Sequence, residues 1–91
     1  MKYLDKALSI LELMILERKN LALTDIAVKS GLGKGTVHRM LGTLKSRMFV
    51  HQDPDTRKYG LGIRALEMGS AVKKDEILRK AMQPGLRKLL H

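Results

Sequence analysis

The sequence predicts a mainly α-helical fold carrying one small β-hairpin. Three observations predict it. Residues 23–44, LTDIAVKSGLGKGTVHRMLGTL, write a short helix, a glycine turn and a second helix in succession. Asp53-Pro54-Asp55-Thr56 is turn chemistry between two short runs of strand character, residues 49–52 and 58–61. Apolar residues before and after these segments recur at helical spacing rather than in alternation.

Leu4, Leu8, Leu11 and Ile15, with Ala7 and Met14 on the same stripe, predict a first helix over residues 3–19, ended by Asn20 and buried along that stripe. Residues 21–23 read as a one-rung strand. Thr24 is an N-cap type, and Asp25 favours the positive end of a second helix running to about Ser30. Ala27 is small enough for two helices to approach closely. Gly31 can adopt the left-handed backbone that a sharp turn between them demands.

A third helix is predicted over residues 34–47. Val37, Met40, Leu41, Leu44 and Met48 fall on one inward arc. Gly35, Arg39, Gly42 and Ser46 fall opposite, flanked by His38 and Thr43. A glycine inside a helix costs about 1 kcal/mol against alanine. Two of them on an outer face make sense where that face must press against another surface.

The hairpin carries Arg57 and Lys58 at its tip, with the second aspartate of the turn, Asp55, expected to bond its own backbone. Ile63, Ala65 and Leu66 open a further helix toward Lys73, and residues 70–76 read as a hinge. A last helix starts at Asp75 and carries Ile77, Leu78, Ala81, Met82, Leu86, Leu89 and Leu90, kinked at Pro84. The expected division is a winged helix-turn-helix over residues 1–69. Residues 70–91 are then a linker and the first helix of a further domain, or a helix through which two chains pair.

Ninety-one residues suffice for one small domain. With no cysteine, neither a disulfide nor a thiolate metal site can form. The apolar run at residues 13–16 is far too short for a bilayer, and no cleavable leader pattern opens the chain, so a cytoplasmic protein without a membrane partner is expected. Eighteen basic residues against nine acidic give a net charge of +9. That balance suggests a polyanionic partner. Residues 1–23 hold four basic and three acidic groups, whereas residues 24–62 and 63–91 each hold seven and three. The first helix is therefore scaffold by charge, and solubility alone is a sufficient account of the tail.

Gly31-Leu32-Gly33-Lys34-Gly35-Thr36 resembles a phosphate loop but fails on spacing, because a glycine separates Lys34 from Thr36. The dinucleotide fingerprint lacks its third glycine at the required interval, and both motifs follow a strand, not a helix. His38, His51 and His91 have no metal-ligand spacing. No Ser, His and acid arrangement stands out, and the six methionines are core filler by their spacing. No enzyme activity, cofactor or metal is expected.

A different chemistry fits the third helix. Arg39 projects from the middle of its outer face, where a guanidinium can take O6 and N7 of a guanine in the major groove, or bind a phosphate instead. Lys34 and Thr36 at the helix start suit phosphates, with Thr36 equally placed to cap. Arg57 and Lys58 suit phosphates or a minor groove beside the hairpin. Tyr3, Phe49 and Tyr59 lie in separate elements and make no stacking platform for single strands. Duplex DNA is thus the expected partner, met by Lys34, Gly35, Thr36, His38, Arg39, Thr43, Arg57 and Lys58. The rival is a winged helix used only for protein interaction, which leaves the glycines and Arg39 without a role.

Residues 7–14 (ALSILELM), 23–44 and 49–62 (FVHQDPDTRKYGLG) resemble the N-terminal winged helix-turn-helix of IclR-type bacterial transcriptional regulators. The resemblance spans nearly the whole chain; TVHRML, DPDT and YGLG are its most specific parts. It implies a homodimer on a near-palindromic operator. It also implies a larger C-terminal domain, absent here beyond its first helix, that binds a small aromatic or short-chain organic acid effector. By position it puts Lys34, Gly35, Thr36, His38 and Arg39 at the DNA-facing start of the recognition helix and Arg57 and Lys58 on the wing. Departures from the family pattern fall at Gly33, at Gly35 in place of serine, at Arg57 where glycine is frequent, and at Gly60 where arginine is frequent.

Overall fold

The computed structural model describes residues 1–81. Its order is α1 (Lys2–Glu17), α2 (Leu23–Ser30), α3 (Lys34–Ser46), β1 (Val50–Gln52), β2 (Tyr59–Leu61), α4 (Ile63–Ala71) and α5 (Lys74–Ala81). This is the expected mainly α winged helix-turn-helix. Met82, Pro84, Leu86, Leu89, Leu90 and His91, expected in the last helix and tail, lie outside the described residues.

The core gathers Ile10 and Met14 from α1, Leu21, Ile26 and Ala27 from the α2 region, Val37, Met40 and Leu41 from α3, and Val50 and Tyr59 from the hairpin. Each large apolar side chain fully buried there contributes about 1.5–3 kcal/mol, so these ten residues hold the three helices and the wing as one body. α1 buries one edge of the expected stripe: Met14 is buried and Ala7 and Leu11 pack against the core as expected, but the inward face is rotated toward Ile10. Leu4, Leu8 and Ile15 are exposed, whereas Ile10 and Met14 are buried with Ala7, Leu11 and Leu13 packed against them. The helix is apolar on more than one side, so its period alone does not choose the inward stripe. α1 also ends earlier than expected. Arg18 turns left-handed at φ 55° and its N–H bonds the Met14 carbonyl at 3.2 Å.

β1 and β2 pair antiparallel, with Val50 opposite Leu61, His51 opposite Gly60 and Gln52 opposite Tyr59. Leu21 adds an isolated one-residue bridge to β2, exchanging two 2.8 Å hydrogen bonds with Tyr59. That bridge explains a second correction. The chain stays extended through Ala22, which is the N-cap of α2 in place of Thr24, and Thr24 falls inside the first turn.

Gly31 takes the left-handed conformation expected of it (φ 74°), and its N–H closes onto the Ala27 carbonyl at 3.0 Å. α3 starts at Lys34 with Gly33 as its N-cap, so Thr36 is not the cap. It ends at Ser46. Met48 then turns left-handed (φ 66°), with Met48 N–H on the Lys45 carbonyl at 3.0 Å and Phe49 N–H on the Leu44 carbonyl at 2.9 Å, a Schellman motif. Met48 is 59% exposed rather than inward, because the helix has ended before its position on the arc is reached. α4 buries none of its residues. The break between α4 and α5 falls at Val72 and Lys73, inside the expected hinge.

Candidate nucleic-acid interface

The two faces of α3 are sharply divided. Val37 and Leu41 are 0% exposed and Met40 is 1% exposed. On the opposite side Lys34, Gly35, His38, Arg39, Gly42 and Thr43 are all exposed, with Thr36 half-buried. A Cβ built on Gly35 or Gly42 meets nothing within 4 Å. Packing within the chain therefore does not require either glycine. Thr43 donates its hydroxyl back to the Arg39 carbonyl at 3.3 Å, which ties that side chain to the helix.

The charge of this face is uncompensated. From residue 26 to residue 52 there is no Asp or Glu, while Lys29, Lys34, Arg39, Lys45 and Arg47 supply five cations. Among the described residues the ion pairs are Glu17–Lys29, Arg64–Glu67 and Lys73–Glu76, none of which uses Lys34, Arg39, Arg57 or Lys58. Glu17, hydrogen-bonded by Lys29 at 2.6 Å and held below its ordinary pKa mainly by that bond, neutralises Lys29 between α1 and α2 and leaves the α3 face unopposed.

The wing tip is fixed by Asp53, not by Asp55 as expected. The Asp53 carboxylate accepts the N–H of Asp55 at 2.8 Å and of Thr56 at 3.1 Å. These two backbone bonds, Thr56 first, hold its pKa below the ordinary value. Arg57 N–H bonds the Asp53 carbonyl at 2.8 Å, and Asp53 N–H bonds the Lys58 carbonyl at 2.9 Å. Arg57 is forced to φ 65°, a conformation glycine adopts freely and other residues seldom do. Arg57 and Lys58 are exposed at the tip.

Gln52 joins α3 to this tip. Its side-chain oxygen accepts from Lys45 Nζ at 3.1 Å, and its amide nitrogen donates to the Arg57 carbonyl at 3.0 Å. No sequence pattern singles out Gln52 or Lys45. Gly60 lies in a close contact within the fold. A Cβ there would run into the Asn20 side chain, so the loop after α1 lies against β2 where an arginine side chain would otherwise start. Between the start of α2, His38 of α3 and the wing lies an open cleft of about 300 Å³ lined by Thr24, His38, Gln52, Thr56, Arg57 and Tyr59, over Ala22 and Leu23.

The sequence and the fold have counterparts among known proteins. The IclR helix-turn-helix domain matches residues 3–54, more than half of the chain. The chain belongs to the IclR family. It is 38% identical to the HTH-type transcriptional regulator XynR of Escherichia coli over 68 residues, which are 75% of this chain and 27% of that protein. It is 37% identical over 87 residues to the HTH-type transcriptional regulator BhcR of Paracoccus denitrificans, covering 96% of this chain and 31% of the relative. The crystal structure of Pseudomonas aeruginosa HmgR superposes with a TM-score of 0.76 at 26% identity, over 92% of this chain and 35% of that one. The chain thus spans about a third or less of the length of these relatives.

Among the described residues no three His, Asp or Glu side chains group as metal ligands, and no helix is long and apolar enough to cross a membrane.

Proposed function

We propose that this IclR domain is the DNA-binding module of a transcriptional regulator and reads duplex DNA in a sequence-specific manner. α3 enters the major groove with Lys34, Gly35, Thr36, His38, Arg39 and Thr43 toward the DNA. The wing lays Arg57 and Lys58 along the neighbouring backbone. One observation carries this reading: an exposed helix face whose two glycines would leave an added Cβ in open space, and whose Lys34 and Arg39 take part in no ion pair among the described residues. Such a face suits close approach to a polyanion. The named regulators to which the chain is similar support it.

The module works as a homodimer on two half-sites. Exposed Leu4, Leu8 and Ile15 on α1 and Ile63, Leu66 and Met68 on α4 are apolar surface in search of cover, which favours pairing. Residues 1–69 form the reading unit, and residues 70–91 lead toward an effector domain of the kind the relatives' extra length accommodates. A small organic acid acts on DNA binding only through that domain. The setting is the bacterial cytoplasm, where regulators of this family meet DNA.

Salt titration of binding to random duplex DNA is the direct test. The logarithm of the affinity should fall linearly with the logarithm of salt concentration. A slope near zero would reject DNA binding and favour the module as a protein-interaction surface. Selection of bound duplexes from a random pool should then return paired half-sites about one helical turn, or a multiple of it, apart.

A further inference from the structure

The turn that ends α3 is also the point from which α4 departs. Met48 and Phe49 each bond the recognition helix with the backbone N–H and the start of α4 with the carbonyl. Met48 N–H donates to the Lys45 carbonyl at 3.0 Å, and the Met48 carbonyl accepts from Arg64 N–H at 2.9 Å. Phe49 N–H donates to the Leu44 carbonyl at 2.9 Å, and the Phe49 carbonyl accepts from Gly62 N–H at 2.8 Å. Gly62 is the N-cap of α4, and Arg64 lies in its first turn. Amides at a helix start have no partner within their own helix. Here two such amides are satisfied by the turn that closes another helix.

Gly62 adds a second observation. Its φ of −96° suits any residue, so conformation does not call for glycine there. Space does. A Cβ at Gly62 would lie 2.5 Å from the Met48 carbonyl oxygen and 3.1 Å from the Val50 carbonyl carbon, and both are backbone atoms. Backbone cannot swing aside as the end of a side chain can. Met48 itself is left-handed at φ 66°, which fixes the direction of the peptide that Gly62 meets. α4 buries none of its residues. Two backbone bonds and one close contact are therefore its firmest tie to the rest of the molecule.

We propose that Met48, Phe49 and Gly62 form a joint that sets the angle between the recognition helix and α4, and through it the half-site spacing that two paired subunits read. The inference rests on the homodimer reading, in which Ile63, Leu66 and Met68 of α4 belong to the pairing surface. When α4 pairs with a partner subunit, its angle to α3 fixes how far apart the two recognition helices stand and how they are turned. That separation is matched to the spacing of the half-sites. Gly62 is a positioning residue. It acts by letting the Met48 peptide come close, and it needs no contact with DNA. A side chain at this position turns α4 and moves one recognition helix relative to the other, with each reading face intact.

The 91-residue chain has no cysteine, so Val28→Cys on α2 and Ser70→Cys on α4, both exposed, take spin labels at those two places alone. Labelled chain is diluted in unlabelled chain, so that the distance read by double electron–electron resonance lies within one subunit. Gly62→Ala should shift or broaden that distance. Gly69→Ala, in the same helix but with nothing within 4 Å of the added carbon, should leave it unchanged. In selection from random duplexes, Gly62→Ala should prefer a different spacing from the unmodified chain. It should lose about tenfold on a duplex with the original spacing and keep its affinity for an isolated half-site. Hydrogen exchange on the unmodified chain does not depend on how any variant folds. The Gly62 and Arg64 amides should be protected although they stand at a helix start. The joint is overturned if those amides exchange as freely as exposed loop amides, or if folded Gly62→Ala keeps the original distance and spacing. Equal weakening on both duplexes with the spacing preference kept would reduce Gly62 to a structural role and overturn it too. Selection of lone half-sites by the unmodified chain, with the amides still protected, would instead sink the homodimer reading and the spacing role with it.

Discussion

The side-chain amide of Gln52 donates to the Arg57 carbonyl at 3.0 Å, so a residue at the base of the wing holds the peptide at its tip. The other end of the same amide accepts from Lys45 on α3 at 3.1 Å. One half-buried side chain thereby couples the angle of the wing to the recognition helix. Gln52→Ala should cost about 0.5–1.5 kcal/mol of stability, the net worth of one or two such bonds. It should also weaken duplex binding at all sequences alike, because a freed wing loses order and not base contacts. Thermal melts combined with anisotropy on specific and random duplexes check both; a change confined to one base-pair preference would contradict the positioning role.

The wing turn should be acid-labile. Asp53 holds the Thr56 and Asp55 N–H groups as an ionised acceptor, and its folded-state pKa lies below the ordinary 3.8. A carboxylate depressed on folding contributes stability that is fully present above its unfolded pKa and is lost as pH falls through the folded value. Glu17, lowered from 4.5 by its Lys29 partner, acts in the same direction. Stability should therefore hold level at neutral pH and decline below about pH 4. Asp53→Asn keeps an oxygen acceptor but not the charge, and should flatten part of that decline. Denaturant unfolding at a series of pH values reads it; an identical acid slope in the variant would place the effect elsewhere.

Legibility in the sequence follows the range of the interaction responsible. Gly31 is readable because a left-handed helix end is a local demand that one residue type meets best. The exposed face of α3 is readable because a single helix period separates Val37 and Leu41 from Gly35 and Arg39. Thr24 looks like the cap but is not, because the start of α2 is set by the pairing of Leu21 with distant Tyr59, which no local pattern records. The buried face of α1 is only partly legible, because Ala7, Leu11 and Met14 can be flanked by Leu4, Leu8 and Ile15 on one side or by Ile10 on the other. Only packing against α2 and β2 chooses between them. Met48 points inward only on an α3 wheel extended past the Schellman turn that stops it. The Lys45–Gln52–Arg57 bridge leaves no trace in the sequence, since it joins side chains whose proximity exists only after the hairpin folds back. The absence of acidic residues from 26 to 52 is the simplest local signal of the cationic face.

Lys58 should act as a phosphate contact without discrimination. It is exposed at the wing tip and takes part in no ion pair among the described residues. Lys58→Ala should lower the slope of log affinity against log salt by about one unit and leave the ranking of sequences intact. Anisotropy titrations across a series of salt concentrations suffice. An unchanged slope would take this residue off the backbone path.

Ala27 is 6% exposed where α2 meets α3. Its side chain is part of the core that joins the helices. Ala27→Leu should cost about 1–3 kcal/mol through overpacking. It should also weaken specific binding more than non-specific binding, because α3 shifts as a body relative to the wing while the surface charge is untouched. A variant that melts lower but keeps its full ratio of specific to random affinity would show that the helix spacing tolerates the change.

Gly42 offers the clearest separation of folding from function. It sits in the interior of α3, exposed, with nothing within 4 Å of the position a Cβ would take. Alanine at that site should stabilise the helix by about 1 kcal/mol, because it removes the entropy cost glycine imposes and meets no clash. On physical grounds the protein would be better folded with alanine there. If the face abuts DNA, the added methyl occupies space the groove needs, and Gly42→Leu occupies more. The expected pattern is a rise in melting temperature for Gly42→Ala together with weaker duplex binding, and a steeper loss of binding for Gly42→Leu. Equal or tighter binding by both variants would mean that this part of α3 stands clear of the groove, and the docking angle would have to pivot toward Lys34 and Gly35 at the helix start.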